Sequence, residues 1–374
     1  MIHEYRELLC ENNRIEAFRN SIFQVVNNST VIAEIGTALG TYSFFSAMAG
    51  AKATYAIEET DLIEVAKTIA RNNGMYERIT FLKGHSTEIE LPETVDYIIF
   101  EDYTPVFLYP GLKNVIVDAK KRFLKKNGSF IPYQFEIKIA LCQANSFYKK
   151  LDIMRSTEDR LYEIDWSYTT KLAFNLPYYL DDENIQLLSK EKCIKKININ
   201  SDEEFTFKFK GDIVVTHNGI LHGIVAWWDC IFPIDNKFSN SPLKGISSWG
   251  QMFFPFRHTM NVKKGEYVTV TLLSYESPRT DEINFKWAVT YKDIHQEFNT
   301  FKNSFIAPSF LVPTGKEYKL SLNKKGEFLL NIIQSVDRYS SVDEIYRKIY
   351  DSDLSIKDKK ELTKLLIELI NTSL

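Results

Sequence analysis

Two carboxylates and two glycines carry the first chemical signal in this chain. The apolar run Val31–Ile35 holds Glu34 near its carboxyl end and turns through Gly36 and Gly40 into a helical pattern, and a second apolar run, Ala53–Ile57, ends in Glu58. That layout is the one a nucleotide-type cofactor uses on an open α/β sheet, because the glycines let main chain approach the ligand and the helix offers its N-terminal amides. The middle glycine of the usual triplet is Ala38 here, so the loop alone also fits an ordinary strand-to-helix turn. Glu58 tips the reading toward a cofactor, since a carboxylate after the second strand can accept both ribose hydroxyls.

These residues need a sheet to hold them. Residues 11–30 read as a helix with Ile15, Phe18, Ile22 and Phe23 on one face and Arg14 and Arg19 off it, broken by Asn27–Thr30. Strands at Val31–Ile35, Ala53–Ile57, Ile79–Lys83 and Val95–Phe100 then alternate with helices at Thr41–Ala49 and Asp61–Asn73. Alternation of this kind calls for a parallel sheet wrapped by helices, an α/β Rossmann-like domain over residues 1–133. From Gln134 to about residue 300 the pattern becomes two-residue alternation, as in Phe205, Phe207 and Phe209, which predicts antiparallel β. A polar and aromatic excursion at 151–190 reads as an arm. Residues 318–374 form a separate small unit in which Ser341 and Glu344 make a capping box.

Bulk properties narrow the partners. A net charge of -3 over 374 residues gives no electrostatic reason to expect nucleic acid. Cys10, Cys142, Cys193 and Cys230 are far apart and lack CxxC spacing, so no metal is expected and a reduced, cytoplasmic chain is the simplest reading. No apolar run reaches the roughly 18 residues of a membrane span, and Met1–Glu4 has no signal-peptide character.

Over residues 3–291 the sequence resembles the protein arginine methyltransferase family. The likeness is carried by Ile2–Glu4, the segment Arg14–Ile22, Glu34-Ile-Gly36, Ile57-Glu58, Arg78–Asp102, Lys121–Pro132, His222–Asp229 and Ser247–Phe254. The resemblance implies S-adenosylmethionine as cofactor, an antiparallel β-barrel after the Rossmann-like domain, and a homodimer formed through the arm. By position it implies that Arg14 holds the methionine carboxylate, that Glu34, Gly36 and Gly40 build the cofactor loop, that Glu58 binds ribose, and that Gly84 and His85 lie near adenine. Glu101, Asp102 and Trp249 fall at the acceptor site.

The departures are as informative. The family clamps a guanidinium with two glutamates of one loop; Glu101 stands at the first position and Pro110 at the second, so the loop cannot form a double carboxylate clamp in the family's manner. Asp102, as the next residue along a strand, is expected to face the other way. The family's threonine-histidine-tryptophan triplet reads Ser247–Ser248–Trp249. Residues 318–374 are similar to the small winged-helix domains that recognise precursor peptides in ribosomal peptide maturation. The resulting expectation is a methyltransferase with an altered acceptor site acting on a peptide or natural-product precursor, or on a small molecule. Its alternatives are a protein arginine methyltransferase and a catalytically retired, cofactor-free interaction protein.

Overall fold

The computed structural model describes residues 2–109, 111–153, 162–180, 185–202, 204–234, 236–244, 247–276 and 283–303. The chain divides into two units, 1–304 and 305–374. Pro110, part of the expected arm, and the whole winged-helix-like segment 318–374 lie outside the described residues.

Five strands, β1 (Val31–Ile35), β2 (Ala53–Glu58), β3 (Thr80–Lys83), β4 (Val95–Phe100) and β5 (Leu124–Ile131), pair in parallel in the order β3-β2-β1-β4-β5. Every residue of β1 is buried, as a central strand covered on both faces requires. The chain leaves β1 toward β2 on one side and returns as β4 on the other, so a crevice opens outside the carboxyl ends of β1 and β4. Glu34, Glu58 and Glu101 all sit at that edge. The helices are α1 (Ile2–Leu9), α2 (Asn12–Val25), α3 (Thr41–Met48), α4 (Leu62–Asn72) and α5 (Leu112–Arg122).

Three details differ from the sequence reading. Helix α1 was not foreseen; it is only eight residues long and buries none of them. In α2 the face is turned: Arg14 is buried and Phe23 is exposed beneath the Arg19 guanidinium, 4.8 Å from its ring. Strand β5, absent from the sequence reading, takes in Lys125 and Lys126, and Gly128 lies inside it. A Cβ on Gly128 would come within 2.9 Å of the Asp96 carbonyl oxygen and closer still to Leu124.

The second half contributes α6 (Asn145–Leu151), α7 (Ser167–Ala173) and eleven antiparallel strands: β6 (Gln134–Gln143), β7 (Tyr178–Leu180), β8 (Gln186–Leu187), β9 (Lys192–Asn198), β10 (Lys208–Val214), β11 (Gly219–Ile231), β12 (Lys237–Ser239), β13 (Gln251–Val262), β14 (Tyr267–Glu276), β15 (Ile283–Tyr291) and β16 (Ile294–Asn299). They form two sheets, β7-β13-β11-β6-β8 with β9 and β12 attached, and β10-β14-β15-β16. Phe254 packs edge-on against Phe285 and Trp287 between the sheets. An isolated bridge joins Ser189 to Val215, and among the described residues no continuous ladder closes the two sheets into one barrel.

Candidate active site

The loop after β1 alternates through the left-handed region: Gly36 at φ 73°, Ala38 at 45° and Gly40 at 89°. Ala38 therefore adopts the conformation that the missing glycine would have supplied, at a steric cost of roughly 1–2 kcal/mol for an L side chain. Two carboxylates hold the loop in place. Glu58 accepts the Ala38 amide at 2.9 Å on one oxygen and the Thr60 amide and hydroxyl, at 2.9 and 2.7 Å, on the other. Glu34 caps α3: its Oε2 accepts from the Thr37 hydroxyl at 2.6 Å, the Ser43 amide at 2.7 Å and the Ser43 hydroxyl at 2.5 Å. Burial pushes Glu34 up to about 7 against those hydrogen bonds.

Opposite this loop, Arg14 reaches from α2 to the end of β4. Its Nη1 donates to Glu101 Oε1 at 2.9 Å and its Nη2 to the Leu8 carbonyl of α1 at 2.5 Å. The guanidinium lies 5.3 Å from the Trp249 ring centroid, and Glu11, 3.7 Å from Arg14 Nε, also accepts the Ser248 amide at 3.3 Å. The Glu11 side chain thus ties the start of α2 to the backbone at Ser248. Burial raises Glu101 to about 7, with Arg14 opposing and Glu34 and Asp102 adding to the rise.

Asp102 corrects an expectation. The strand ends at Phe100, so its alternation no longer governs the next two residues, and Glu101 and Asp102 line the same cleft. Asp102 is shifted upward by partial burial, while a hydrogen bond from the Tyr109 hydroxyl opposes the rise.

The cleft has a volume of about 600 Å³. Arg14, Glu34, Gly36, Glu58, Glu101, Asp102 and Trp249 line it, as do Gly84 and His85, the latter with Nδ1 2.7 Å from Thr87 Oγ1. Gly40 stands just behind, at the start of α3. Its wall includes carboxylates of Glu4, Glu58, Glu59, Glu101 and Asp102 against the single guanidinium of Arg14, giving a markedly anionic lining. Under the 101–109 segment, Tyr103 meets Trp228 and Trp249 at 5.8 and 6.0 Å, and the Trp228 indole donates to the Thr104 carbonyl at 2.9 Å. Asn240, fully buried, joins three segments. Its side chain accepts the Trp228 amide at 2.8 Å and donates to the carbonyls of Pro105 and Gly250 at 3.2 and 2.8 Å.

Asn240, Glu11 and Tyr42 at this site were not singled out from the sequence; each is an ordinary polar or aromatic residue whose role depends on segments far away in the chain. His222 is a satisfied core residue, its Nδ1 accepting the Ala144 amide at 2.9 Å, and Trp227 and Trp228 are packing residues with no exposed surface.

The donor set fits an adenosyl cofactor without phosphate. A pyrophosphate at the α3 N-terminus would face the buried Glu34 carboxylate that already caps it, whereas Glu58 suits ribose hydroxyls. The buried Arg14 Nε, which makes no hydrogen bond, suits a carboxylate.

The comparisons agree with that chemistry. Residues 135–292 match the family model described as the arginine methyltransferase oligomerization subdomain. Protein arginine N-methyltransferase 1 of Schizosaccharomyces pombe is 29% identical over 281 residues, which cover 72% of this chain and 81% of the relative. Protein arginine N-methyltransferase 1.1 of Arabidopsis thaliana is 27% identical over 302 residues, 77% of this chain and 75% of the relative. The fold is similar to that in the Trypanosoma brucei PRMT1 enzyme-prozyme heterotetrameric complex with AdoHcy, with a TM-score of 0.72 and 19% identity over 80% of this chain and 98% of that one. The cleft's donor set and these relatives together make the chain an S-adenosylmethionine-dependent methyltransferase, similar in sequence and fold to the protein arginine methyltransferases.

Proposed function

We propose that the enzyme methylates a cationic nitrogen on a peptide, a guanidinium of arginine first among them, with Glu101 and Asp102 as the acceptor carboxylates. The observation that carries this reading is that both residues open onto one anionic cleft whose only guanidinium is itself paired. The relatives' names, protein arginine N-methyltransferase, support it. Bound S-adenosylmethionine supplies an electrophilic methyl on a sulfonium that leaves as a neutral thioether. The protein's part is positioning, worth up to about 7–11 kcal/mol when reacting atoms are held in line. Glu101 Oε2, the oxygen that Arg14 leaves free, orients the acceptor and takes the proton its nitrogen loses as the N–C bond forms, while Trp249, backed by Tyr103, shields the site from water.

Mass spectrometry after incubation with labelled cofactor and arginine-rich peptides tests the acceptor. Methylarginine is the expected product; label on a different atom of a cognate peptide would replace this reading with the second one. That second reading, an altered acceptor in a peptide or natural-product precursor, is favoured by Pro110 and by Ser247–Ser248 in place of the family's residues. Homodimerisation through the 151–190 arm belongs to the same proposal. Ile164, Trp166, Tyr168 and Tyr179 are exposed there, within the segment matched by the oligomerization model. Sedimentation giving a strict monomer at micromolar concentration would exclude it.

A further inference from the structure

Two donor atoms of residues that line the cleft are buried without a hydrogen-bond partner, Arg14 Nε, which has only the Glu11 carboxylate at 3.7 Å, and the Tyr42 hydroxyl, which has none. A buried hydroxyl left unpaired is costly, so in a native structure such an atom points to something that completes it. Tyr42 is the second residue of α3, only 4% exposed, and its ring is fixed by stacking on Phe18 at 4.4 Å with an interplanar angle of 18°. It shares the cleft lining with Arg14 and Glu101. The neighbouring acceptors are engaged elsewhere: Glu34 Oε2 holds Thr37 and Ser43, and Glu101 Oε1 holds Arg14. The Tyr42 hydroxyl is thus a buried donor with no protein acceptor, in a lining it shares with the Arg14 guanidinium.

S-adenosylmethionine carries one full negative charge, on the carboxylate of its amino-acid end. We propose that the Tyr42 hydroxyl is a second donor to this carboxylate, beside Arg14, and so a cofactor-binding residue of this chain. The inference rests on the cofactor assignment. A phenol adds direction that a guanidinium alone lacks: its single O–H, on a ring locked by Phe18, selects one oxygen and sets the rotation of the amino-acid tail that leads to the sulfur.

Calorimetry on the full apoprotein tests it with two ligands: S-adenosylhomocysteine, which has the amino-acid end, and 5′-methylthioadenosine, which keeps the adenosine and thioether but lacks it. Tyr42→Phe preserves the ring stack and removes only the hydroxyl. It is expected to weaken S-adenosylhomocysteine roughly tenfold, as for one hydrogen bond to a charged group, and to leave 5′-methylthioadenosine unchanged. Unchanged affinity for S-adenosylhomocysteine would overturn the assignment. Equal weakening of both ligands would also overturn it, because the loss would then come from packing of α3. Failure of the wild-type chain to bind either ligand would remove the cofactor assignment itself.

Discussion

Replacing Glu101 with glutamine should make the protein more stable at pH 8 while disabling it. Burial raises Glu101 from an ordinary value of 4.5 to about 7 even with Arg14 at 2.9 Å. Between those two pH values the folded protein holds a proton that the unfolded chain has released, so stability contributed by this group is full below 4.5 and falls as pH rises to 7. At about 1.4 kcal/mol per tenfold change in proton affinity, the whole interval is worth on the order of 3 kcal/mol. A neutral amide mimics the protonated acid at every pH. Glu101→Gln should therefore match the wild type near pH 5 and exceed it by up to about 3 kcal/mol at pH 8, several degrees in Tm. Methyl transfer should fall roughly a hundredfold or more, the usual worth of a positioned proton acceptor. Thermal unfolding of the apoprotein at both pH values, paired with the labelled-cofactor assay, reads both effects. A variant less stable than the wild type at pH 8 would refute the reasoning, since the ion pair with Arg14 would then outweigh the cost of burying the carboxylate.

Gly40→Ala places a Cβ 2.7 Å from the Phe44 ring at a left-handed φ of 89°, and should cost about 2–4 kcal/mol together with cofactor affinity, measured by melting and calorimetry. The opposite change, Ala38→Gly, relieves a left-handed alanine and should leave cofactor affinity intact with stability unchanged or raised by up to about 1 kcal/mol. Asn240→Ala strands the Trp228 amide and the Pro105 and Gly250 carbonyls; a loss of about 3 kcal/mol is expected, with hydrogen exchange accelerating in 101–109 and 247–250 before it does in β1.

Four of the five parallel strands were legible because each pairs a short apolar run with a turn signal, and β4 occupies the very residues, Val95–Phe100, that its apolar run predicts; β5 was not, because its first half, Leu124–Gly128, is largely polar. Glu58 and Arg14 were legible through family position, and both line the cleft. Asp102 was misjudged because strand alternation was carried two residues beyond the strand's end. Helix α1, only eight residues long, escaped notice, and Arg14 was placed on the polar side of α2 because a helical wheel cannot register that a buried carboxylate waits there. Tyr42 and Asn240 were invisible for a different reason: what makes them distinctive is an unpaired hydroxyl in one case and three distant partners in the other, neither a property of local sequence.

The contact between Arg14 and Trp249 joins residues 235 positions apart, and Asn236 reinforces it with hydrogen bonds to the Ala17 carbonyl and the Ser21 hydroxyl at 2.8 and 2.9 Å. A nascent chain emerging from the ribosome can build the five-stranded sheet early, yet it cannot close the cofactor cleft until the Trp249 loop has left the tunnel and folded back. Until Phe135, Trp228 and Trp249 arrive to cover them, Tyr103 and Phe107 present an uncovered aromatic surface, the kind of exposure that invites aggregation and chaperone capture. A protein cut after residue 133 would stay in that condition permanently. Loop closure over so long a span also slows folding relative to the local helices and parallel strands, so refolding should show secondary structure returning well before cofactor binding does.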